Sequence, residues 1–307
     1  MADCLIVGTG AMACLFGARL AAAGTRVTML GTWRAGLDAL NGQGVRLVER
    51  DGSERTYPVR ATDDPADCRG ARLALVLVKA WQTPRAAMQL AHCLAPEGLA
   101  TTLQNGLGNR EELARLLGEE RVALGVTTFG ATLLGPGHVR AGGDGVISLG
   151  ARVSHPPSAP LESLEELLRA SLFPVEIVPD ADALLWHKLV INAAINPLTA
   201  LLRIPNGELL ERPSAGELMA EAALEAAAVA EAVGMRLSDD PIQVARWVAQ
   251  HTASNHSSML QDVMRGAPTE IDAICGAIAA YGERHAVPTP VNRLLWLLVK
   301  ALKKEAE

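Results

Sequence analysis

Cysteine is scarce in this chain of 307 residues, and no two of its five cysteines form a Cys-x-x-Cys pair. An odd number of widely scattered cysteines fits neither a disulfide framework nor a zinc knuckle, and it favours a reducing compartment. No His-Glu-x-x-His or similar spacing occurs among the seven histidines, so the sequence predicts no metal site. We therefore expect a cytoplasmic protein that works without a metal ion.

A surplus of basic residues is missing as well, because 28 lysines and arginines face 34 aspartates and glutamates, a formal net charge of −6. A general nucleic-acid-binding protein usually has a basic surplus, so we expect no nucleic-acid partner. The apolar run at residues 189–202 is too short for a membrane span. The uncharged stretch at residues 4–18 lacks the basic segment that begins a signal peptide. The sequence therefore predicts a soluble protein with no membrane partner.

The first 180 residues alternate short apolar runs with helical stretches, a pattern typical of βαβ units. Runs that are β-branched or leucine-rich suit strands buried on both faces of a parallel sheet. We predict such strands at residues 4–7, 26–30, 73–78, 100–103, 122–127 and 175–178. The fold class predicted for this half is an α/β, Rossmann-type doubly wound sheet.

Two excursions from this pattern look like antiparallel additions, because each contains a turn signal between short β-type runs. The runs are residues 45–48 and 55–59 around Asp51-Gly52, and residues 138–140 and 146–149 after Gly135-Pro136-Gly137.

The second half contains no convincing strand, only long helical periods that are partly rich in alanine. We predict helices at residues 181–202, 215–233, 241–264, 269–285 and 290–304. The boundary is placed near residue 179, which gives a Rossmann-type domain at residues 1–179 and an all-helical domain at residues 180–307.

The first candidate site is a glycine-rich loop between a buried-type strand and a helix, which matches the G-x-G-x-x-G/A fingerprint. The first glycine permits a tight turn, the second lets pyrophosphate approach the backbone, and the small last residue allows close helix–strand packing. A glycine turn beneath an ordinary βαβ unit is the alternative, but the position at strand one favours dinucleotide binding. The predicted cofactor-binding residues of this loop are Gly8, Thr9, Gly10, Ala11, Met12 and Ala13.

The end of the second predicted strand indicates which dinucleotide is bound. An NAD site usually carries an acid there for the ribose 2′-OH, but this segment has no acid before Asp38. Thr32 offers a hydroxyl and Arg34 a guanidinium, a pair that suits the 2′-phosphate of NADP. A solvated loop arginine is the alternative for Arg34. We predict NADP(H) as the cofactor.

A narrow polar stripe marks the first helix of the second half. Lys188, Asn192 and Asn196 lie four residues apart among mostly apolar neighbours, hence on one side of the helix. A solvated helix face would be wider and richer in charge, so the stripe favours a polar ligand in a sheltered cleft. A buried polar network that locks helix packing is the alternative. Pro197 is expected to end or kink this helix.

Two further positions stand out. Asn105-Gly106 follows a predicted strand, at the strand end where open α/β sheets bind ligands, although both residues also favour simple turns. Glu270 begins a predicted helix after Pro268, where an acid also merely complements the helix dipole.

Together these residues resemble the 2-dehydropantoate 2-reductase (ketopantoate reductase) family over nearly the whole chain. The motifs concerned are residues 8–13, 79–82, 104–108, 186–200, 205–209, 255–262 and 269–272. The last four, in that order and spacing, are highly specific. The resemblance implies NADPH-dependent reduction of ketopantoate to (R)-pantoate in pantothenate biosynthesis. It also implies a helical second domain similar to that of phosphogluconate dehydrogenases.

The resemblance implies residue roles as well. Lys188 is expected to be the general acid that protonates the ketone oxygen as hydride arrives, with Glu270 as its catalytic neighbour. The substrate-binding residues implied are Lys188, Asn192, Asn196, Asn206 and Ser258, and the further cofactor-binding residues are Lys79, Gln82, Asn105, Ala131 and Glu270. Two departures stand out, because Ala13 replaces the usual third glycine and Arg34 is displaced by two residues from the usual 2′-phosphate arginine.

Two other functions stay open at this point. A related reductase of another 2-oxo acid would use the same asparagines and serine. A non-catalytic NADP-binding regulator would have lost the catalytic set, and the presence of Lys188, Asn192 and Ser258 disfavours it. The expected partner is a small 2-oxo acid, and the expected assembly is a monomer or homodimer.

Overall fold

The structure is a computed structural model that describes residues 3–150 and 159–302. The chain forms two compact units, the first made of residues 1–104 and 109–181 and the second of residues 105–108 and 182–307. The segment at residues 105–108 therefore groups with the helical half, although it lies inside the range 1–179 predicted for the first domain.

Strands occur in the first unit. In the described residues they are β1 (Asp3–Val7), β2 (Arg26–Leu30), β3 (Val45–Val48), β4 (Glu54–Tyr57), β5 (Arg60–Thr62), β6 (Ala71–Val76), β7 (Leu94–Thr102), β8 (Val122–Thr127), β9 (Ala131–Gly135), β10 (His138–Ala141), β11 (Ile147–Gly150) and β12 (Val175–Val178).

The larger sheet has eight strands within the described residues, in the order β12–β11–β8–β7–β6–β1–β2–β5. Neighbouring strands from β8 to β5 are parallel, and β11 runs antiparallel to β8. Chain order runs outward from β1 through β2 and outward from β6 through β7, so it reverses between β1 and β6. Open α/β sheets bind ligands beyond the carboxyl ends of the strands at such a reversal. The doubly wound sheet predicted from the sequence is confirmed.

Helices cover both faces of this sheet: α1 (Ala11–Ala22), α2 (Arg34–Gln43), α3 (Thr83–Cys93), α4 (Asn109–Leu117) and α5 (Ala159–Ala170). Alternate residues of β1 enter two different cores. Ile6 packs in the cluster that contains Phe16 of α1, whereas Leu5 and Val7 pack in the cluster that contains Leu90 of α3. A strand buried on both faces is continuously apolar, which is why the run was recognisable.

The smaller sheet has the order β4–β3–β10–β9 and packs against α1. β3 and β4 form the predicted antiparallel hairpin, with Arg46 opposite Thr56. β9 and β10 form a second antiparallel pair, but β10 also runs parallel to β3 and β11 returns to the larger sheet. The second excursion is therefore not a simple antiparallel addition.

The second unit is helical in its described residues, and no helix in that part or in the described first unit is long and apolar enough to cross a membrane. Its helices are α6 (Ala181–Leu202), α7 (Glu208–Glu211), α8 (Pro213–Ala232), α9 (Pro241–His251), α10 (Ser258–Met264), α11 (Ala277–Arg284) and α12 (Pro290–Ala301). A π-helical turn at Asp272–Gly276 leads into α11. Fully buried alanines of α8 share one core with Leu189 of α6 and Ile278 of α11, since small side chains permit close helix packing.

The prediction of one helix over residues 241–264 is wrong. α9 ends at His251, and α10 begins at Ser258 after Ser257 Oγ accepts a hydrogen bond from the Leu260 N–H at 3.1 Å. The six residues between the helices are mostly polar, and their side chains favour caps and turns over a helix interior. Glu270 likewise precedes its helical segment instead of beginning it. The predicted end of the last helix at Lys304 lies outside the described residues.

Of the two effects expected of Pro197, ending the helix is excluded, because α6 continues through it to Leu202. Proline has no N–H to donate to the carbonyl one turn earlier. Two residues further on, the hydroxyl of Thr199 donates to the carbonyl oxygens of Ile195 and Asn196 at 3.1 and 3.0 Å.

The five cysteines of the chain are all buried and free. Desolvation raises the pKa of Cys4 and Cys14 to about 12. Their thiols therefore pack as small apolar groups.

Glu225 of α8 holds the start of α12. Its two carboxylate oxygens accept hydrogen bonds from the backbone N–H groups of Val291 and Asn292, each at 2.8 Å. The Asn292 side chain is fully buried and donates to the same carboxylate at 2.9 Å and to the Ala222 carbonyl at 3.0 Å. N–H groups in a first helical turn lack partners within the helix. A carboxylate from a neighbouring helix therefore caps α12.

Replacing Glu225 by alanine should lower the free energy of unfolding by about 3 kcal/mol, because charge-assisted hydrogen bonds are lost and buried N–H groups lose their acceptor. Urea denaturation followed by circular dichroism measures the change. The matched control is Glu221→Ala, one turn earlier on α8 and exposed to solvent. Equal denaturation midpoints for the two variants would show that Glu225 does not hold α12.

Candidate active site

The glycine-rich loop connects β1 to α1 at the carboxyl end of β1. Gly8 has a φ of 137°, and a Cβ there would lie 3.1 Å from the carbonyl group of Leu77, so glycine is required. At Gly10, by contrast, no described atom lies within 4 Å of the Cβ position, which leaves this backbone open to a ligand. Ala13 is fully buried where α1 packs on the sheet. The loop therefore has the shape that a dinucleotide pyrophosphate needs.

The carboxyl end of β2 lies beside this loop. A Cβ on Gly31 would lie 2.7 Å from the methyl group of Thr9, so the two segments are in close contact. Thr32 and Arg34 follow and are exposed, and Arg34 Nε lies 3.1 Å from Asp38 Oδ1, one turn along α2. Arg85 of α3 donates from Nη1 to Thr32 Oγ1 at 3.4 Å.

Lys79 and Gln82 lie just beyond the carboxyl end of β6, next to the reversal in strand order. The Lys79 N–H donates to Gln82 Oε1 at 3.4 Å. Gln104, at the end of β7, fixes this turn because its Nε2 donates to the Val78 carbonyl and to Thr83 Oγ1, both at 2.9 Å. The buried amide of Gln104 thus positions the backbone that carries Lys79.

Asn105 and Glu270 meet within the second unit, although 165 positions separate them in the sequence. Asn105 Nδ2 donates to Glu270 Oε2 at 3.3 Å, and Glu270 is buried. Gly106 has a φ of 83°, and a Cβ there would lie 2.5 Å from the carbonyl oxygen of Ala273. The Leu107 N–H donates to that same carbonyl at 3.0 Å. The turn at Asn105-Gly106 therefore places the Asn105 amide against the buried carboxylate of Glu270.

Lys188 extends from the middle of α6. Part of its side chain is exposed, but desolvation of its ammonium group lowers the pKa of Lys188 to about 8, and the carboxylate of Glu270 opposes this shift. Burial disfavours the charged amine, and the nearby negative charge favours it. An amine in this balance can donate a proton close to neutral pH.

The polar stripe continues along α6 through Asn192 to the buried Asn196. Thr199 Oγ1 lies 2.7 Å from Ser257 Oγ, and both side chains are buried. The Thr199 proton is already committed to α6 carbonyls, so Ser257 is the donor in this pair. The contact ties the start of α10, and with it Ser258, to the Asn196 end of the stripe.

Asn206 is held in one orientation by its neighbours. Its backbone N–H donates to the Asn255 carbonyl at 3.0 Å, and its Nδ2 donates to Thr252 Oγ1 at 2.8 Å. The Thr252 hydroxyl itself donates to the Val248 carbonyl at 2.7 Å, so it can only accept from Asn206. Asn206 Oδ1 is buried and lacks a hydrogen-bond partner in the described part of the chain. A buried acceptor in this state is ready to receive a donor from a ligand.

Family models match both units of the chain. The model described as ketopantoate reductase PanE/ApbA matches residues 4–154, and the one described as ketopantoate reductase PanE/ApbA C terminal matches residues 180–303. The chain belongs to the ketopantoate reductase family. This family is one of NAD(P)-dependent oxidoreductases, and the resemblance stated from the sequence motifs is confirmed.

Relatives of the ketopantoate reductase family match over almost the full length. A 2-dehydropantoate 2-reductase of Archaeoglobus fulgidus is 38% identical over 298 residues, which are 97% of each chain. The crystal structure of a PanE/ApbA family ketopantoate reductase from Ralstonia eutropha JMP134 has a TM-score of 0.89 and 33% identity, covering 98% of each chain. A D-mandelate dehydrogenase with NADH and anilino(oxo)acetate has a TM-score of 0.89 at 24% identity, covering 98% of this chain and 97% of its own, and shows the fold alone.

The ketopantoate reductase site residues predicted from the sequence fall into two groups. In the first unit lie Gly8, Thr9, Gly10, Ala11, Met12, Ala13, Thr32, Arg34, Lys79, Gln82 and Ala131, and in the second lie Asn105, Lys188, Asn192, Asn196, Asn206, Ser258 and Glu270. Within the second unit Glu270 is the common neighbour of Asn105 and Lys188.

Three side chains that the sequence did not single out contact predicted site residues or their neighbours: Arg85, Thr199 and Ser257. Arg85 contacts Thr32 from 53 positions away, and no local pattern marks it. Thr199 and Ser257 lie inside the motifs that carry the family resemblance. A hydroxyl residue in an apolar helical run does not by itself indicate that it bonds to another helix.

Gly106→Ala should lower the free energy of unfolding by about 2–5 kcal/mol, since it combines an unfavourable positive φ with overpacking against Ala273. It should also move Asn105 away from Glu270. Gly108→Ala is the matched control, because Gly108 has a φ of 88° but no described atom within 4 Å of its Cβ position. We expect it to cost only about 1–2 kcal/mol. If urea denaturation shows the same loss of unfolding free energy for Gly106→Ala and Gly108→Ala, Gly106 does not lie in tight contact with Ala273.

Proposed function

We propose that this protein catalyses the NADPH-dependent reduction of 2-dehydropantoate (ketopantoate) to (R)-pantoate, a step of pantothenate biosynthesis. The observation that carries the proposal is the desolvated amine of Lys188, whose pKa of about 8 suits proton donation, beside the buried acid Glu270. Membership of the ketopantoate reductase family and relatives named 2-dehydropantoate 2-reductase support the same activity.

Lys188 is the proton donor in this reaction. When bound, the reduced nicotinamide supplies the hydride to the carbonyl carbon, and negative charge then develops on the carbonyl oxygen. The Lys188 ammonium donates a hydrogen bond to that oxygen, stabilises the charge and transfers its proton. Glu270 favours the protonated form of Lys188 before transfer, because its carboxylate raises the pKa against burial. Asn105 orients that carboxylate through its hydrogen bond.

Asn192, Asn196 and Ser258 bind the carboxylate and the remaining oxygens of the 2-oxo acid. Amide N–H groups and a hydroxyl can donate hydrogen bonds to carboxylate oxygens without adding a competing charge beside Lys188. The Thr199–Ser257 contact supports this role, since it ties Ser258 to the same end of α6 as Asn196.

Asn206 supports ketopantoate over a plain 2-oxo acid. Its Oδ1 is a buried acceptor, and its orientation is fixed by Thr252. Ketopantoate carries a hydroxyl at C4 that can donate to this oxygen. A substrate without the hydroxyl leaves the acceptor unpaired, which costs about 1–3 kcal/mol in a buried site.

NADP(H) is the dinucleotide proposed for the first unit. The open backbone at Gly10 fits the pyrophosphate, and Lys79, Gln82 and Ala131 are the further residues of this unit proposed to hold the cofactor. Thr32 and Arg34 are suited to the 2′-phosphate. A D-mandelate dehydrogenase of the same fold was solved with NADH, so the fold alone does not decide between the two dinucleotides. The side chains after β2 favour NADP(H).

The proposed setting is the cytoplasm, where the protein acts as a monomer or homodimer on a small 2-oxo acid, without a nucleic-acid or membrane partner. The net charge of −6 and the five scattered cysteines support this setting.

Lys188→Ala should lower kcat for ketopantoate reduction by ~10²–10⁴, because the proton donor is lost, while the dissociation constant of NADPH changes little. The pH profile tests the same role. Since Lys188 must be protonated, kcat of the wild-type enzyme for reduction should fall as pH rises through about 8. The reverse oxidation needs the neutral amine and should rise over the same range.

His187→Ala is the control for this experiment, because His187 is the sequence neighbour of Lys188 and lies on another side of α6, with Nε2 3.9 Å from Asp239 Oδ2. It should keep near-normal turnover and the same pH profile. A folded Lys188→Ala protein with near-normal kcat, or an unchanged pH limb in that variant, would remove Lys188 from the mechanism.

Substrate choice should depend on the C4 hydroxyl. The wild-type kcat/KM for ketopantoate should exceed that for 3,3-dimethyl-2-oxobutanoate, which lacks only this hydroxyl, by about 10- to 100-fold. Asn206→Ala should reduce the ratio to within about threefold, because no buried acceptor is left unpaired. Steady-state kinetics with both acids measure the two ratios. If Asn206→Ala lowers kcat/KM equally for both acids, Asn206 does not bind the C4 hydroxyl.

A further inference from the structure

Three polar side chains gather beyond the carboxyl end of β2, beside the glycine-rich loop. Thr32 and Arg34 belong to the segment that follows β2, and Arg85 reaches them from α3. All three are exposed, so a ligand can reach them. The segment leaves β2 at Gly31, which contacts Thr9 of the loop and whose N–H donates to the Thr62 carbonyl at 3.0 Å. Its start is therefore fixed relative to the loop.

Arg34 can reach a phosphate, but its ion pair with Asp38 reduces what it contributes. Its Nε lies 3.1 Å from Asp38 Oδ1, and its side chain is 78% exposed. A phosphate that approaches Arg34 must compete with a carboxylate for the guanidinium, and it also meets the like charge of that carboxylate. Both effects weaken what Arg34 contributes to an anion site.

Arg85 is better prepared. In the described part of the chain its contact is with the neutral hydroxyl of Thr32, at 3.4 Å, and it forms no ion pair. Its positive charge is therefore not offset by a bound carboxylate. The guanidinium and the hydroxyl together offer several donors at one point, an arrangement that suits the oxygens of a phosphate dianion.

The first turn of α3 fixes the backbone position of Arg85. Thr83, the first residue of α3, is buried, donates to Asn109 Oδ1 at 2.8 Å and accepts from Gln104 Nε2 at 2.9 Å. Arg85 lies two residues further on. Its backbone is thus positioned by a buried network, while its guanidinium is free to meet a ligand.

We propose that Arg85 is a specificity-determining residue that selects NADPH over NADH, by binding the 2′-phosphate together with Thr32, and that Arg34 contributes less. The proposal rests on the proposed function in so far as the first unit binds a nicotinamide dinucleotide. It assigns the main phosphate contact to α3 instead of the segment after β2.

Dissociation constants of the full-length protein for NADPH, NADH and adenosine 2′-monophosphate test this assignment, measured by fluorescence titration or calorimetry without substrate. Arg85→Ala should weaken NADPH and adenosine 2′-monophosphate by about 10- to 100-fold and change NADH less than about twofold. Arg34→Ala should weaken NADPH by a smaller factor. Asp38→Asn should tighten NADPH, because it releases Arg34 and removes a negative charge.

Arg72→Ala is the matched control, since Arg72 is an exposed arginine of the same unit near the start of β6, away from the carboxyl ends of the strands. It should leave all three dissociation constants unchanged. Circular dichroism and melting temperature confirm that each variant is folded.

Three outcomes would overturn the proposal: equal weakening of NADPH and NADH in Arg85→Ala, a larger effect of Arg34→Ala than of Arg85→Ala, or a wild-type protein that binds both dinucleotides equally. None of these outcomes touches ketopantoate reduction. Conversely, a protein that shows the expected Arg85 selectivity but reduces no ketopantoate supports this proposal and refutes the proposed function.

Discussion

The pairing of a desolvated lysine amine with a buried carboxylate is the interaction around which the polar contacts of residues 105–108 are arranged. Removing a charged amine from water costs several kcal/mol unless an opposite charge and hydrogen bonds compensate for it. The compensating charge is Glu270, and Asn105 holds it. The segment at residues 105–108 therefore has to join the helical unit, and Gly106 has to pass within contact of Ala273. A leucine at position 188 would need no carboxylate beside it, so the position of Glu270 is matched to an amine.

Several buried hydroxyl groups of the described part of that unit donate to identified acceptors. Ser257 donates to Thr199, Thr199 donates to carbonyls of α6, and Thr252 donates to Val248. Because these donors are all committed, the direction of each hydrogen bond is fixed. Asn206 Oδ1 and Asn292 Oδ1 are buried acceptors without a partner in the described part of this unit, and of the two only Asn206 belongs to the predicted substrate-binding residues.

Much of the first unit could be predicted from sequence, because parallel strands buried on both faces are continuous apolar runs between clear breaks. The strands at residues 26–30 and 122–127 match their predicted bounds. The three-residue β5 carries too little pattern to be seen. The break at residues 252–257 was missed because helical periodicity resumes on both sides of it. Lys188 and the stripe along α6 were visible as polar residues in an apolar helix. The Arg85–Thr32 contact was not, because it depends on tertiary structure alone.

The burial of the thiols has a consequence for the chemistry of the intact protein. Burial raises the pKa of Cys4 to about 12, so the thiol stays protonated at neutral pH, whereas the thiolate is the form that attacks alkylating agents and disulfides. Cys4 lies in β1 and Cys275 lies in the π-helical turn, so each unit carries its own shielded thiol. Modification of either cysteine therefore requires local opening of its surroundings. The rate of alkylation at each cysteine therefore measures how often the structure around that cysteine opens.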